Sequence, residues 1–203
     1  MGLVLEDNKE YADGKGREYY IDYVLNRSGI RQWSLTRLAD YGFDAETGIW
    51  AECPGYSSVV INDYANFANQ FDNNLHYDLV KAMPVLSKAV AATPQYLFPN
   101  RMICGFGDTH PGYLNTNFFI RMIQNAQANG KKEQEDYFTA LLKCLNPETD
   151  ADKGEKKNVR VSVNSFFEDK PLKLDSNVKP GKIEDYVLSL IHISEPTRPE
   201  PIS

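Results

Sequence analysis

The chain has 203 residues, 42% of them hydrophobic and 25% charged, with a formal net charge of −6; this composition supports a sizeable core, with room for one domain and part of another. The acidic balance argues against a general nucleic-acid binder, and no window holds the roughly 18 consecutive apolar residues of a membrane span. Cys53, Cys104 and Cys144 are odd in number and widely spaced, so they indicate neither a disulfide framework nor a zinc site and read as small buried residues.

The first residues, Met1-Gly-Leu-Val-Leu-Glu-Asp, are too short an apolar run for a signal peptide. From Glu18 to Pro147 the pattern predicts helical hairpins, with helices over Glu18 to Asn26, Ile30 to Tyr41, Val59 to Gln70, Asp78 to Ala92, Thr116 to Asn129 and Glu133 to Leu145. Leu79, Val80, Met83, Leu86 and Val90 recur near the helical period, as do Tyr137, Phe138, Leu141, Leu142 and Leu145. Pro84 should kink the fourth helix or move its start, and Pro94 should end it.

Two loops interrupt this pattern with unusual chemistry. The first, Asp44-Ala-Glu-Thr-Gly-Ile-Trp-Ala-Glu-Cys-Pro-Gly-Tyr56-Ser-Ser, sets Trp50, Glu52 and Tyr56 before a helix that Ser57 or Ser58 is expected to cap near Val59. The second, Phe98 to Tyr113, concentrates Gly, Pro, aromatics, Asp108 and His110. Loops held by rigid helices are where chemistry usually sits. His76 lies in a polar connection and reads as structural. Residues 80–132 carry six basic residues against one acid, Asp108, a local excess that could attract a polyanion.

Beyond the helices, residues 148–158 read as a polar linker. Val159, Val161 and Val163 then alternate with Arg160, Ser162 and Asn164, a strand signal, and Asp175-Ser-Asn and Lys179-Pro-Gly are turns. Leu188 to Pro199 matches the translation of a common transposon-end sequencing adapter, which implies a genuine polypeptide ending near Val187 and an unselected tail over 188–203. Excluding that tail leaves a net charge of −5.

The elements around Gly48, Trp50, Glu52, Pro54 and Tyr56, and around Pro99, Asn100, Phe106, Gly107, Asp108 and Thr109, resemble those of heparinase II/III-like polysaccharide lyases, relatives of the alginate lyases. The resemblance spans roughly Tyr19 to Val187. It implies a mainly α fold: a partial α/α toroid over residues 1–147, followed by the start of a β-sandwich over 159–187. It also implies a periplasmic or secreted parent protein, an acidic polysaccharide as substrate, and neither metal nor cofactor; the oligomeric state is open.

Such lyases cleave uronate glycans by β-elimination, in which a base removes the proton at C5 and an acid protonates the departing glycosidic oxygen. The substrate carboxylate must be neutralised by nearby donors. By resemblance Tyr56 is the catalytic tyrosine, with Tyr64 as the alternative, and His110 assists charge neutralisation or protonation. Trp50, Glu52 and Asp108 would bind substrate, Trp50 by stacking on a sugar ring. No upstream segment matches the family's Asn/His element, so the chain is expected to be an inactive portion of a larger enzyme. Two other readings share these residues: a glycoside hydrolase using Glu52 and Asp108 as acid and base, and a glycan-binding scaffold without chemistry.

Overall fold

A computed structural model describes residues 6, 9, 11, 13–27, 34–98, 100–146 and 172–186. Within them the protein is mainly helical, with α1 at Arg17–Asn26, α2 at Leu35–Gly42, α3 at Pro54–Leu75, α4 at Leu79–Ala82, α5 at Pro84–Ala92, α6 at Asn117–Ala128 and α7 at Lys132–Leu145. Short 3-10 turns cover Thr93–Tyr96 and Ile183–Asp185. Among the described residues no helix is long and apolar enough to cross a membrane.

Helix α3 is the spine of this arrangement. Its 22 residues span about 33 Å at 1.5 Å per residue, with α6 against one side and α4 and α5 against another. The interior face carries Ile61, Ala65, Ala68 and Phe71, which meet Leu86 and Val90 of α5 and Phe118, Met122 and Ile123 of α6 in one core. Helices α6 and α7 form the most extensive hairpin, in which Phe138, Leu141 and Leu142 complete that core. All five periodic residues from Leu79 to Val90 are buried. In α7, Tyr137 departs from its group: it is partly exposed and packs edge-on against Tyr186, 5.6 Å between centroids.

Helix α2 starts at Leu35 rather than Ile30 and α3 runs on to Leu75 rather than Gln70; the start of α3 also differs from expectation, and it has a local cause. Helix α3 begins five residues before Val59, because Pro54 occupies its first turn, where the missing N–H costs nothing. Ser57 and Ser58 therefore do not cap it: their hydroxyls donate back to the carbonyls of Cys53 and Pro54, at 3.0 and 2.8 Å. Pro84 moves a start as expected, dividing the predicted fourth helix at Met83 into α4 and α5. His76 ends α3 in the left-handed conformation, φ 49°, consistent with a structural role.

Residues 172–186 contain a turn at Asp175 but no strand, and they dock on the helical body. Lys143 donates to the carbonyls of Asp175 and Val178, both at 2.7 Å. The Gly181 N–H donates to Ala140 O at 3.1 Å, and Leu172, Leu174, Ile183 and Tyr186 pack on the core. The linker at 148–158, the alternating valines from Val159 and the tail after Val187 lie outside the described residues.

A buried polar cluster joins the end of α3 to α6. Asn125, fully buried, donates its amide to Asp72 and to Asp78, while Asn129 donates to Asp72 at 2.9 Å and Lys131 pairs with Asp78. Burial raises the Asp72 carboxyl above its ordinary value; the Asn129 and Asn125 amides oppose this, and the Asp78 charge adds to it. Asp78 is shifted the other way, because the hydrogen bonds from Lys131, Lys81 N–H and Asn125 outweigh its desolvation.

The raised Asp72 carboxyl contributes stability that is fully present below the unfolded carboxylate pKa and is lost as pH rises through the folded value. Asp78 contributes stability above the unfolded pKa that is lost as pH falls through its depressed value. Comparing melts of the parent with Asp72→Asn isolates the first contribution. On acidification from about pH 7 toward about pH 4, the difference in Tm should move in the parent's favour, and a pH-independent difference would contradict the assignment.

Candidate functional site

The first loop is wired before it reaches its functional side chains. Asp44 Oδ1 accepts from the Thr47 N–H and hydroxyl, both at 2.7 Å, and from the Glu46 N–H at 3.2 Å. These donors, Thr47 first, hold the Asp44 carboxyl below its ordinary value. Lys88 of α5 reaches the Ala45 carbonyl at 2.7 Å. The turn then brings Phe43 and Trp50 into an antiparallel bridge with their rings edge-on, 4.7 Å apart.

Trp50 is half-buried by this packing, and its indole N–H donates to Glu52 Oε2 at 3.0 Å. Glu52 is exposed and orders the loop through that bond. Tyr56 stands in the first turn of α3 with 50% of its surface exposed. Tyr64 is the opposite case: it is buried in the core, packs against Phe43, and donates its hydroxyl to Leu35 O at 3.0 Å. Burial, with Asp40 adding to it, pushes this phenol up to about 12, so of the two tyrosines only Tyr56 offers a hydroxyl to solvent.

The second loop is a bridged excursion between the 3-10 turn at Thr93–Tyr96 and α6. Leu97 pairs with Ile103 and Met102 with Tyr113, and the Ile103 N–H donates to Gly112 O at 2.8 Å. This framework holds Asp108 and His110 at the surface together with the exposed aromatics Phe98, Phe106 and Tyr113. Tyr96 lies beneath the first loop. Its buried hydroxyl is close to the Trp50 backbone and Ser57 yet makes no hydrogen bond of good geometry, and burial raises its pKa.

Thr109 ties the two loops together. Helix α3 has no side-chain cap from its own N-cap residue, Cys53; instead the Gly55 N–H donates to Thr109 Oγ1, 54 positions away in sequence, at 2.8 Å. The Thr109 hydroxyl, followed by the backbone N–H of Tyr56 and then those of Asp108 and Gly55, lowers the pKa of the Cys53 thiol. Gly107, at φ 59°, lies so close that a Cβ there would stand 3.0 Å from Cys53 Cβ. Cys53 and Cys104 are thus half-exposed loop residues, and only Cys144 is buried as expected.

The structure therefore brings the segments bearing Glu52 and Tyr56 against those bearing Asp108 and His110. Among the described residues no hydrogen bond links the side chains of Tyr56, Asp108 and His110 to one another. Catalytic hydrogen bonds commonly tighten only when substrate is bound. No group of metal-ligating side chains occurs among the described residues. Of the basic residues in 80–132, Lys131 and Lys132 are paired with Asp78 and with Asp136 and Asp175, which reduces the excess charge left to attract a polyanion.

Thr109 was visible in the sequence only as a motif residue; its capping role was not, because it depends on a contact between distant loops. Its replacement is predicted to be felt directly: Thr109→Val keeps the volume but strands the Gly55 N–H, which should cost about 1 kcal/mol, the typical value of a helix cap. For a chain of this size that lowers Tm by about 2–4 °C, and an unchanged melt would show that the cap is not formed in solution.

No curated protein and no solved structure matches the chain. A family model described as the second domain of endo-acting ulvan lyase matches residues 46–188, which include the first loop from Glu46 onward, the second loop and α3 through α7. That match covers more than half of the sequence, and the chain accordingly belongs to the endo-acting ulvan lyase second-domain family, a family of polysaccharide lyases.

Proposed function

We propose that this domain contributes the proton-transfer and substrate-binding face of a lyase that cleaves uronate-containing acidic glycans by β-elimination. The observation that carries the reading is the Gly55–Thr109 contact, which joins the loop of Trp50, Glu52 and Tyr56 to the loop of Asp108 and His110. Tyr56 is the catalytic acid or base. His110 assists at the departing oxygen or neutralises the substrate carboxylate, and Glu52 and Asp108 bind sugar hydroxyls.

Further support comes from the surroundings of Tyr56. The positive pole of the long helix α3 lies at this end, which favours an anionic group of the substrate there. The exposed rings of Phe98, Phe106 and Tyr113 offer faces on which sugars can stack. Trp50 is less available, since Phe43 takes up part of its ring.

In this reading the parent enzyme is heparinase II/III-like and secreted or periplasmic, with the helices forming part of an α/α toroid and a β-sandwich following them. Elimination leaves a double bond conjugated to the uronate carboxyl, so the test is the appearance of ultraviolet-absorbing products from ulvan and related uronate polymers. Products carrying only new reducing ends would move the assignment to hydrolysis.

A further inference from the structure

The outward face of α3 holds a second constellation outside the loops. Tyr56, Asp63, Phe67 and Gln70 fall within about 60° of one another around the helix axis, given 3.6 residues per turn. The last three, with Asn66, line an open groove of about 290 Å³, near the lower limit of small-ligand sites. Phe67 presents an exposed ring.

Asn66 is held in a fixed orientation. Its Oδ1 accepts from Arg121 Nε at 3.0 Å and from Asn117 Nδ2 at 3.3 Å, both on α6. The carbonyl is thereby committed to α6, and the amide NH2 is the part left to donate into the groove. An aromatic ring flanked by a fixed amide, a second amide and a carboxylate is suited to a pyranose: the ring stacks on the sugar face, and the polar groups bond its hydroxyls. Asp63 disfavours a second negative charge at the same place.

We infer that this groove is a distal subsite for an uncharged pyranose unit of the same polymer whose uronate lies at Tyr56. The inference rests on the lyase reading of the loops. It adds a direction to that reading, because Phe67 lies roughly 16 Å along the helix axis from Tyr56, the span of a short oligosaccharide. The chain would run down α3, with its reacting bond at the helix N-terminus.

The probe is a set of oligosaccharides, fractionated by size from an ulvan digest, titrated into the full chain while backbone amide resonances are followed. Longer fractions should shift resonances over residues 63–70 as well as those of the two loops, and disaccharides only the latter. Phe67→Ala should weaken binding of the longer fractions by about tenfold and leave disaccharide binding unchanged, with amide spectra confirming the fold. Shifts confined to the loops would overturn the subsite while leaving the lyase reading intact, and no shifts anywhere would overturn both. Asp63→Asn should not tighten binding; a large gain in affinity would show that the unit held there is anionic.

Discussion

Tyr56→Phe, made in a lyase that carries this domain, is expected to cut release of unsaturated uronides by at least about a hundredfold while leaving the protein folded. General acid–base groups contribute about 10²–10⁴-fold to rate, so residual turnover should fall in that range below the parent. The structure separates the two effects of the substitution. Tyr56 is half-exposed in the first turn of α3, and among the described residues its hydroxyl donates no hydrogen bond that holds the fold, so the remaining ring can keep its packing. Tyr64→Phe is the informative contrast. It removes the bond to Leu35 O from a buried site, for which a loss of about 1 kcal/mol is typical, and should lower stability while sparing the chemical step. Unchanged turnover in Tyr56→Phe would remove Tyr56 from the mechanism.

What was legible in the sequence follows from the range of the interaction responsible. The helices from Leu79 to Leu145 could be read because their apolar spacing is a local property that burial enforces, as Leu86, Val90, Phe138 and Leu141 show. Pro84 was legible as a break for the same reason: its missing N–H acts within one turn. The start of α3 was misplaced because two local signals competed, and Pro54 at the first helical turn won over the capping capacity of Ser57 and Ser58. The two loops stood out by composition. Their mutual contact did not, since a hydrogen bond from Gly55 to Thr109 leaves no periodic trace over 54 positions. The same limit hid the groove on α3, where Asn66 is oriented by Asn117 and Arg121 from α6. The Asp72–Asn125–Asp78 cluster also depends on α3 and α6 being neighbours.

Gly48→Ala is expected to destabilise the protein by about 3 kcal/mol, combining the cost of a left-handed backbone with that of overpacking. Gly48 has φ 75°, and a Cβ there would lie 2.4 Å from the Lys88 carbonyl carbon and 2.5 Å from Ala89 N. Those atoms belong to the backbone of α5 and cannot turn aside as a flexible side chain can. Gly130→Ala is the control, with φ 65° but nothing within 4 Å of the added atom; it should show the conformational cost alone, about 1–2 kcal/mol. At about 2–4 °C per kcal/mol for a chain of this size, Gly48→Ala should melt roughly 6–12 °C below the parent, clearly further than Gly130→Ala. The effect should also reach the site. Lys88 anchors the loop through Ala45, and the same loop carries Trp50 and Glu52, so pushing it off α5 should alter the tryptophan environment as seen by fluorescence. Equal melting shifts for the two variants would show that the loop does not rest on α5 in solution, and the ordering of the loop that carries Trp50 and Glu52 would lose its structural basis.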